Sequence, residues 1–221
     1  MNLHSNKFWL EKWQSGNIGF HLDEVNALLR EYWPKLDAGA KVLVPLCGKT
    51  KDLIWLAEQG LKVVGIEVSD IAIRDFFSEN KLSYDLSWYD GVAYYQAKER
   101  DILLIEQDFF EFREADFDAC YDRASLVALP QSIRAVYSEH LKQRLSPHSH
   151  LLLVTIDYSY QDEGKLASSP PFNVTDEEVS GYWPIKNGPL YKQDLFSQNP
   201  RYKSKGYRFF DETVWLITQT R

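Results

Sequence analysis

The chain has 221 residues, 44% of them hydrophobic and 26% charged, with a formal net charge of -7 and a pI near 5.3. That length and apolar content suit one domain with a full core, and the acidic balance argues against a nucleic-acid surface, whose affinity comes mainly from clustered Lys and Arg. No window approaches the roughly 18 apolar residues of a membrane span, and Cys47 and Cys120 are too few for a disulfide scaffold.

The opening, MNLHSNKFWLEKW, lacks the apolar core of a signal peptide, so a cytoplasmic protein with small-molecule partners is expected. Residues 7–33 read as helix in two pieces, broken around Gly16 and Gly19. Trp9 and Trp13 are four apart and share one helix face. That face is either core or a lid whose indoles close over a sulfonium ligand by cation-π contact and exclude water. Phe20 and His21 fall in the break, and Val25, Leu28, Leu29, Tyr32 and Trp33 form an amphipathic stripe that ends at Pro34.

From Lys41 to Ser69 the pattern is strand, turn, helix, strand. Val42, Leu43 and Val44 make a buried strand closed by Pro45, and a tight turn with its single glycine at Gly48 follows. Leu53, Ile54, Leu56 and Ala57 recur at helical spacing from Asp52, and Gly60 suits a left-handed helix end. Val63 to Ile66 is a second buried strand ending at Glu67, with Ser69 capping the next helix. Such a βαβ unit has parallel strands and presents the turn amides and the second strand's tip to one crevice. Glu67 follows Gly48 by about twenty positions, the spacing at which an acid accepts from a ribose diol; the alternative is a solvated glutamate.

Two phosphate loops are excluded by their letters. GKT at Gly48 to Thr50 mimics the end of a P-loop, but Leu43 stands where that loop needs glycine, and the three glycines of the dinucleotide loop are absent. The expected ligand therefore has a ribose and no pyrophosphate, a description that S-adenosylmethionine meets. Cys47, in the same turn, is expected to pack as a thiol, as is Cys120.

Beyond the unit, Asp70 to Asn80 reads as helix with Ile71, Ile73, Phe76 and Phe77 inward. A hairpin turns at Asp90-Gly91, and Ile102 to Ile105 is a main-sheet strand. Asp108 and Phe109 fall past its carboxyl end. There Asp108 either accepts a ligand hydrogen bond and Phe109 stacks on a base, or the two are a turn residue and a core aromatic. Phe117 to Tyr121 is a strand leading to Asp122-Arg123, an arginine that faces the cleft or pairs with Asp122. Helical structure over 124–129 and 131–145 is interrupted by Pro130, and a strand runs from His150 to Asp157. His148 and His150 read as a solvated turn, not a metal site. Residues 159–173 read as a polar loop, Thr175 and Glu178 as a capping box, and Leu190 to Phe196 and Glu212 to Thr220 as late strands around the basic, aromatic loop Arg201 to Arg208. The whole is expected to be a mainly parallel sheet with an antiparallel finish.

Three separated motifs, FWLEKWQSGNIGFH, VLVPLCGKTKDLIWLAEQG with VVGIEVS, and YDRASLVALP, resemble the bacterial thiopurine S-methyltransferases, and the resemblance covers nearly the whole chain. PLCGK in place of a glycine-rich loop is distinctive of that family. The resemblance implies an α/β fold: a doubly wound, Rossmann-like class I methyltransferase sheet of seven strands, the last antiparallel. It implies one domain over 1–221, with a helical lid over 1–33, a core over 34–221 and substrate-side loops near 159–174 and 198–208.

By motif match, S-adenosylmethionine contacts fall on Trp9, Trp13, Leu46, Glu67, Asp108, Phe109 and Arg123, with S-adenosylhomocysteine as product and no metal. Substrate-side positions fall on Phe20, Arg123 and Arg201. Arg123 positions the acceptor, with no obligatory general base. The acceptors implied are aromatic or heterocyclic thiols such as thiopurines, and also selenium or tellurium compounds. A monomer that binds neither nucleic acid nor membrane is implied. A nicotinamide-dependent reductase on a degenerate loop, or a nucleotide-binding module without catalysis, are the alternatives that the cleft by itself leaves open.

Overall fold

The structure is a computed structural model and describes residues 6–162, 164, 165, 167–183, 185 and 188–219. Helices α1 (Asn6–Gln14) and α2 (Ala27–Tyr32) precede β1 (Lys41–Pro45), α3 (Asp52–Glu58) and β2 (Lys62–Glu67). Then come α4 (Asp70–Glu79), the hairpin β3 (Tyr84–Tyr89) and β4 (Val92–Ala97), β5 (Ile102–Glu106) and β6 (Phe117–Arg123). The chain ends with α5 (Gln131–Lys142), β7 (Leu145–Tyr160), α6 (Asp176–Tyr182), β8 (Tyr191–Asp194), α7 (Leu195–Gln198), α8 (Pro200–Ser204) and β9 (Tyr207–Thr218).

The strands form one sheet in the order β3-β4-β5-β2-β1-β6-β7-β9-β8. β1 runs parallel to β2 and β6, β2 parallel to β5, and β6 parallel to β7, whereas β9 is antiparallel to both β7 and β8. The seven strands from β5 to β8 are thus the expected doubly wound sheet with its antiparallel last strand. The count rises to nine because β4 pairs antiparallel with β5 and carries β3 with it. Asp90 and Gly91 both have positive φ, 48° and 76°, as a two-residue hairpin of matching twist requires. Chain order reverses at β1, so the crevice at its carboxyl end is the natural ligand position.

The central strands are apolar throughout because both faces are covered. Leu29, Leu53, Phe76 and Phe77 pack on one face; Phe117, Tyr137, Leu141 and Trp183 pack on the other. Cys47 and Cys120 are buried free thiols, one in each layer. Side-chain caps start α2, α4 and α6: Asn26 accepts from Leu28, Ser69 from Ala72 and Thr175 from Glu178. Among the described residues no helix is long and apolar enough to cross a membrane.

Several boundaries differ from the sequence expectation. β7 and β9 extend well past 157 and 212, because the aromatic pairs Tyr158 with Phe210 and Tyr160 with Tyr207 continue the ladder through apparently irregular sequence. The expected loop near 198–208 is therefore mostly helix and strand: Asn199 caps α8, Pro200 occupies its first turn, and β9 begins at Tyr207. β8 stops at Asp194, whose carboxylate accepts from the Ser197 amide and turns Leu195 and Phe196 into α7. His148 and His150 lie within β7, with a left-handed kink at His148, where φ is 64°. On α4 the inward set is Ala72, Ile73, Phe76 and Phe77, with Ile71 only half-buried. Thr220, the expected end of the last strand, and residues 163 and 166 of the polar loop lie outside the described residues.

Arg134 joins α5 to the segment that precedes α6. Its buried guanidinium donates to the carbonyls of Leu129 and Asn173 and forms a 2.9 Å ion pair with Glu178. Removing one partner of such a pair leaves the other buried and uncompensated. Arg134→Met is expected to lower stability by about 3 kcal/mol, read as a lower urea midpoint with an unchanged slope; an unchanged midpoint would contradict this role.

Candidate functional site

The turn after β1 is held open by backbone geometry. Leu46 and Gly48 both take left-handed conformations, with φ of 47° and 55°, and the Cys47 amide donates to the Ile66 carbonyl of β2. Glu67, buried at the tip of β2, closes the turn: Oε2 accepts from the Gly48 amide at 2.8 Å, and Oε1 accepts from the amides of Val68 and Ser69, each at 2.9 Å. A carboxylate offers about four acceptor positions, so one on Oε2 is left for a ligand. Burial pushes the Glu67 pKa up, and the three amides oppose that rise by favouring the charged form.

The N-terminal segment lies across this turn. A Cβ at Gly48 would stand 3.1 Å from Trp13 Cζ2, so the indole rests directly on the glycine. Phe20 meets Trp9 and Trp13 edge-on, with ring centroids 5.6 Å apart in both cases. Two polar contacts anchor the segment. Asn6 Nδ2 donates to Asp108 Oδ2 at 3.0 Å, and the Phe20 carbonyl accepts from the Arg123 guanidinium at 3.3 Å.

Asp108 also accepts from the Phe110 amide, capping the short 3-10 turn Phe109–Glu111. Phe109 is almost fully buried against Tyr137, His140 and Phe112, with its remaining surface toward the cleft. Asp122 does not serve Arg123: its buried carboxylate accepts from Tyr137 Oη at 2.7 Å and from the Leu126 amide. Arg123 is thereby left to the cleft and the lid.

All nine residues singled out in the sequence, Trp9, Trp13, Phe20, Leu46, Glu67, Asp108, Phe109, Arg123 and Arg201, line one cavity of about 600 Å³. That volume is typical of small-molecule sites, which run from roughly 300 to 1,000 Å³. The resemblance placed 198–208 on the substrate side but singled out only Arg201 there; Tyr202 of α8, Lys205 just after it, and Tyr207, Phe210 and Glu212 of β9 complete that wall. Their aromatic and basic character was visible, but the strand pairing that turns them inward was not. Glu212 also borders a second cavity of about 390 Å³, together with residues 22–28 and Gln193. Among the described residues no group of three His, Cys, Asp or Glu side chains is placed to hold a metal ion.

The arrangement has two ends. One offers a buried carboxylate, a left-handed turn and two indoles; the other offers Arg123 and Arg201 among aromatic rings. Residues 4–220 match the family model for thiopurine S-methyltransferase. A thiopurine S-methyltransferase of Pseudomonas aeruginosa is 42% identical over 219 residues, covering 95% of this chain and 97% of that protein. One from Nitrosospira multiformis is 40% identical over 218 residues, covering 96% of each. Among solved structures, a Burkholderia thailandensis 1,6-didemethyltoxoflavin-N1-methyltransferase with bound 1,6-didemethyltoxoflavin and S-adenosylhomocysteine is similar in fold. Its TM-score is 0.63 at 16% identity, covering 97% of this chain and 87% of that one.

The contact between Gly48 and Trp13 is open to test. Gly48→Ala is expected to cost about 1–2 kcal/mol, since only glycine adopts this backbone without strain, and to push Trp13 outward. A red shift of tryptophan emission that disappears in a Trp13→Phe background would mark the displacement. An unshifted spectrum would mean that the indole does not rest on the turn.

Proposed function

The chain belongs to the thiopurine S-methyltransferase family, and from that premise we propose that it methylates the sulfur of small aromatic or heterocyclic thiols, with selenium and tellurium nucleophiles as further acceptors. Its methyl donor is S-adenosylmethionine, and S-adenosylhomocysteine is the product. Membership in a methyltransferase family sets aside the nicotinamide-dependent reductase and the non-catalytic module. The observation that carries the acceptor reading is the cavity's polarity: a ribose-suited carboxylate, Glu67, and an anion-suited arginine, Arg123, line the same cavity.

The residues present fit the donor. Glu67 Oε2 keeps an acceptor position for a ribose hydroxyl, the left-handed Leu46 to Gly48 turn admits close approach, and Trp9 and Trp13 line the same cavity with aromatic rings of the kind that attract a cation. Asp108 and Phe109 would flank the base. When bound, S-adenosylmethionine supplies a methyl group on a positively charged sulfur, open to in-line attack.

The protein's part is alignment and desolvation. Arg123 favours the anionic form of the acceptor sulfur and holds it, while Phe20 and Arg201 bound the acceptor's side of the cavity. The hydrogen bond from Arg123 to the Phe20 carbonyl links acceptor binding to lid position, so the arginine is best oriented when the segment is closed. Closure by the two indoles and Phe20 excludes water and strengthens the arginine's effect. The acceptor reading is tested directly by incubating the purified protein with labelled S-adenosylmethionine and a panel of thiols and selenols; no label on any acceptor would overturn it. We further propose a cytoplasmic monomer.

Glu67→Ala removes one charge-assisted bond to the donor, worth about 1.5–3 kcal/mol, and loosens the turn. Calorimetry is expected to show S-adenosylhomocysteine binding weakened roughly 10- to 100-fold; unchanged affinity would remove the assignment. Arg123→Ala is expected to lower turnover on a thiophenol about 100-fold while S-adenosylhomocysteine affinity changes within about threefold. Equal turnover in variant and parent would remove Arg123 from the acceptor site.

A further inference from the structure

Three carboxylates line the large cavity, and two are already occupied. Glu67 takes three backbone amides, and Asp108 takes the Phe110 amide and Asn6. The third, Glu212, is held by no hydrogen bond among the described residues. The sheet register sets it beside Arg123. Arg123 stands opposite Val154, and Val154 opposite Val214. Glu212 is two positions from Val214 along β9, so both charged side chains rise from the same face at the cavity end of the strands.

Burial pushes the Glu212 pKa up, and the Arg123 guanidinium draws it part of the way back. The other groups facing it are few. Tyr121 on β6 and Tyr202 on α8 feel its charge, Gln193 stands opposite it on β8, and Asp23 and Glu24 lie across the second cavity.

We propose that Glu212 is the general base of methyl transfer, taking the proton of acceptors that enter the cavity as neutral thiols. The inference rests on the thiol-methylation reading above. In the step, the S–H bond breaks and its proton passes to a Glu212 carboxylate oxygen. The sulfur's electron pair forms the new bond to the methyl carbon, and the electrons of the old carbon–sulfur bond return to the departing homocysteine sulfur. Negative charge moves from Glu212 to the acceptor sulfur while both remain within reach of Arg123, so the arginine's pairing survives the transfer. The carboxylic acid then loses its proton through the second cavity, whose wall it shares. A carboxylate raised above its usual range by burial is the better matched to this task at neutral pH.

The test uses ring-substituted thiophenols and aliphatic thiols whose pKa values fall on both sides of the assay pH. Glu212→Gln is expected to lower kcat/KM about 100-fold for thiols still protonated at that pH and far less for those already ionised. Glu212→Asp is expected to recover part of the loss. A uniform loss across the series, or none, would overturn the base.

An independent readout needs no turnover and no variant. When a neutral thiophenol binds the parent protein with S-adenosylhomocysteine, thiolate absorption should appear without release of a proton to the buffer, counted by calorimetry in buffers of different ionisation enthalpy. Release of that proton, or absence of thiolate absorption, would count against Glu212. A parent enzyme that methylates no thiol would instead overturn the acceptor reading itself.

Discussion

At the carboxyl edge of the sheet one buried carboxylate gathers three amides from two strand ends. Glu67 joins the turn after β1 to the start of α4, and because its partners are all backbone, the join is independent of surrounding side chains. An unpaired carboxylate at this depth would be strongly disfavoured; three amides make it tolerable and fix its direction. The left-handed turn, the seat of Trp13 on Gly48 and the position of the lid all follow from that join.

Among the described residues, two hydrogen bonds tie the N-terminal segment to the ends of two strands. Asn6 reaches Asp108, at the end of β5, and the Phe20 carbonyl reaches Arg123, at the end of β6. Between them the edge-on contacts of Phe20 with Trp9 and Trp13 make a continuous aromatic surface. The same segment therefore covers the turn at Gly48 and touches Arg123 on the other side of the cavity.

The acids that line the cavity are told apart by their partners. Glu67, Asp108 and Glu212 differ in what surrounds them: three amides for the first, one amide and a side-chain amide for the second, a neighbouring guanidinium for the third. Only the last keeps its oxygens free of hydrogen bonds among the described residues. Asp122 is withdrawn from this set by Tyr137, and Arg123 instead lines the cavity.

Much of this was legible in the amino-acid order. The buried runs, Gly48, Gly60, Ser69 and the Asp90-Gly91 turn specify local conformation through sterics and short-range hydrogen bonds, and they establish the βαβ unit, the hairpin and the position of Glu67. The far wall was legible only in part. The resemblance pointed to Arg201, but Tyr202, Lys205 and Glu212 have no periodicity of their own, and they face the cavity because β9 pairs with β7 from His150 to Tyr160 and brings the end of the chain back across the sheet. The partners of Asp122 and Arg123 were likewise undecided: adjacent in sequence, the two side chains leave opposite faces of β6, so one enters the core toward Tyr137 and the other the cleft. Conformation within a few residues is decided by the chain's own sterics, whereas which distant side chains share a cavity is decided by strand register, and register is a property of the folded sheet.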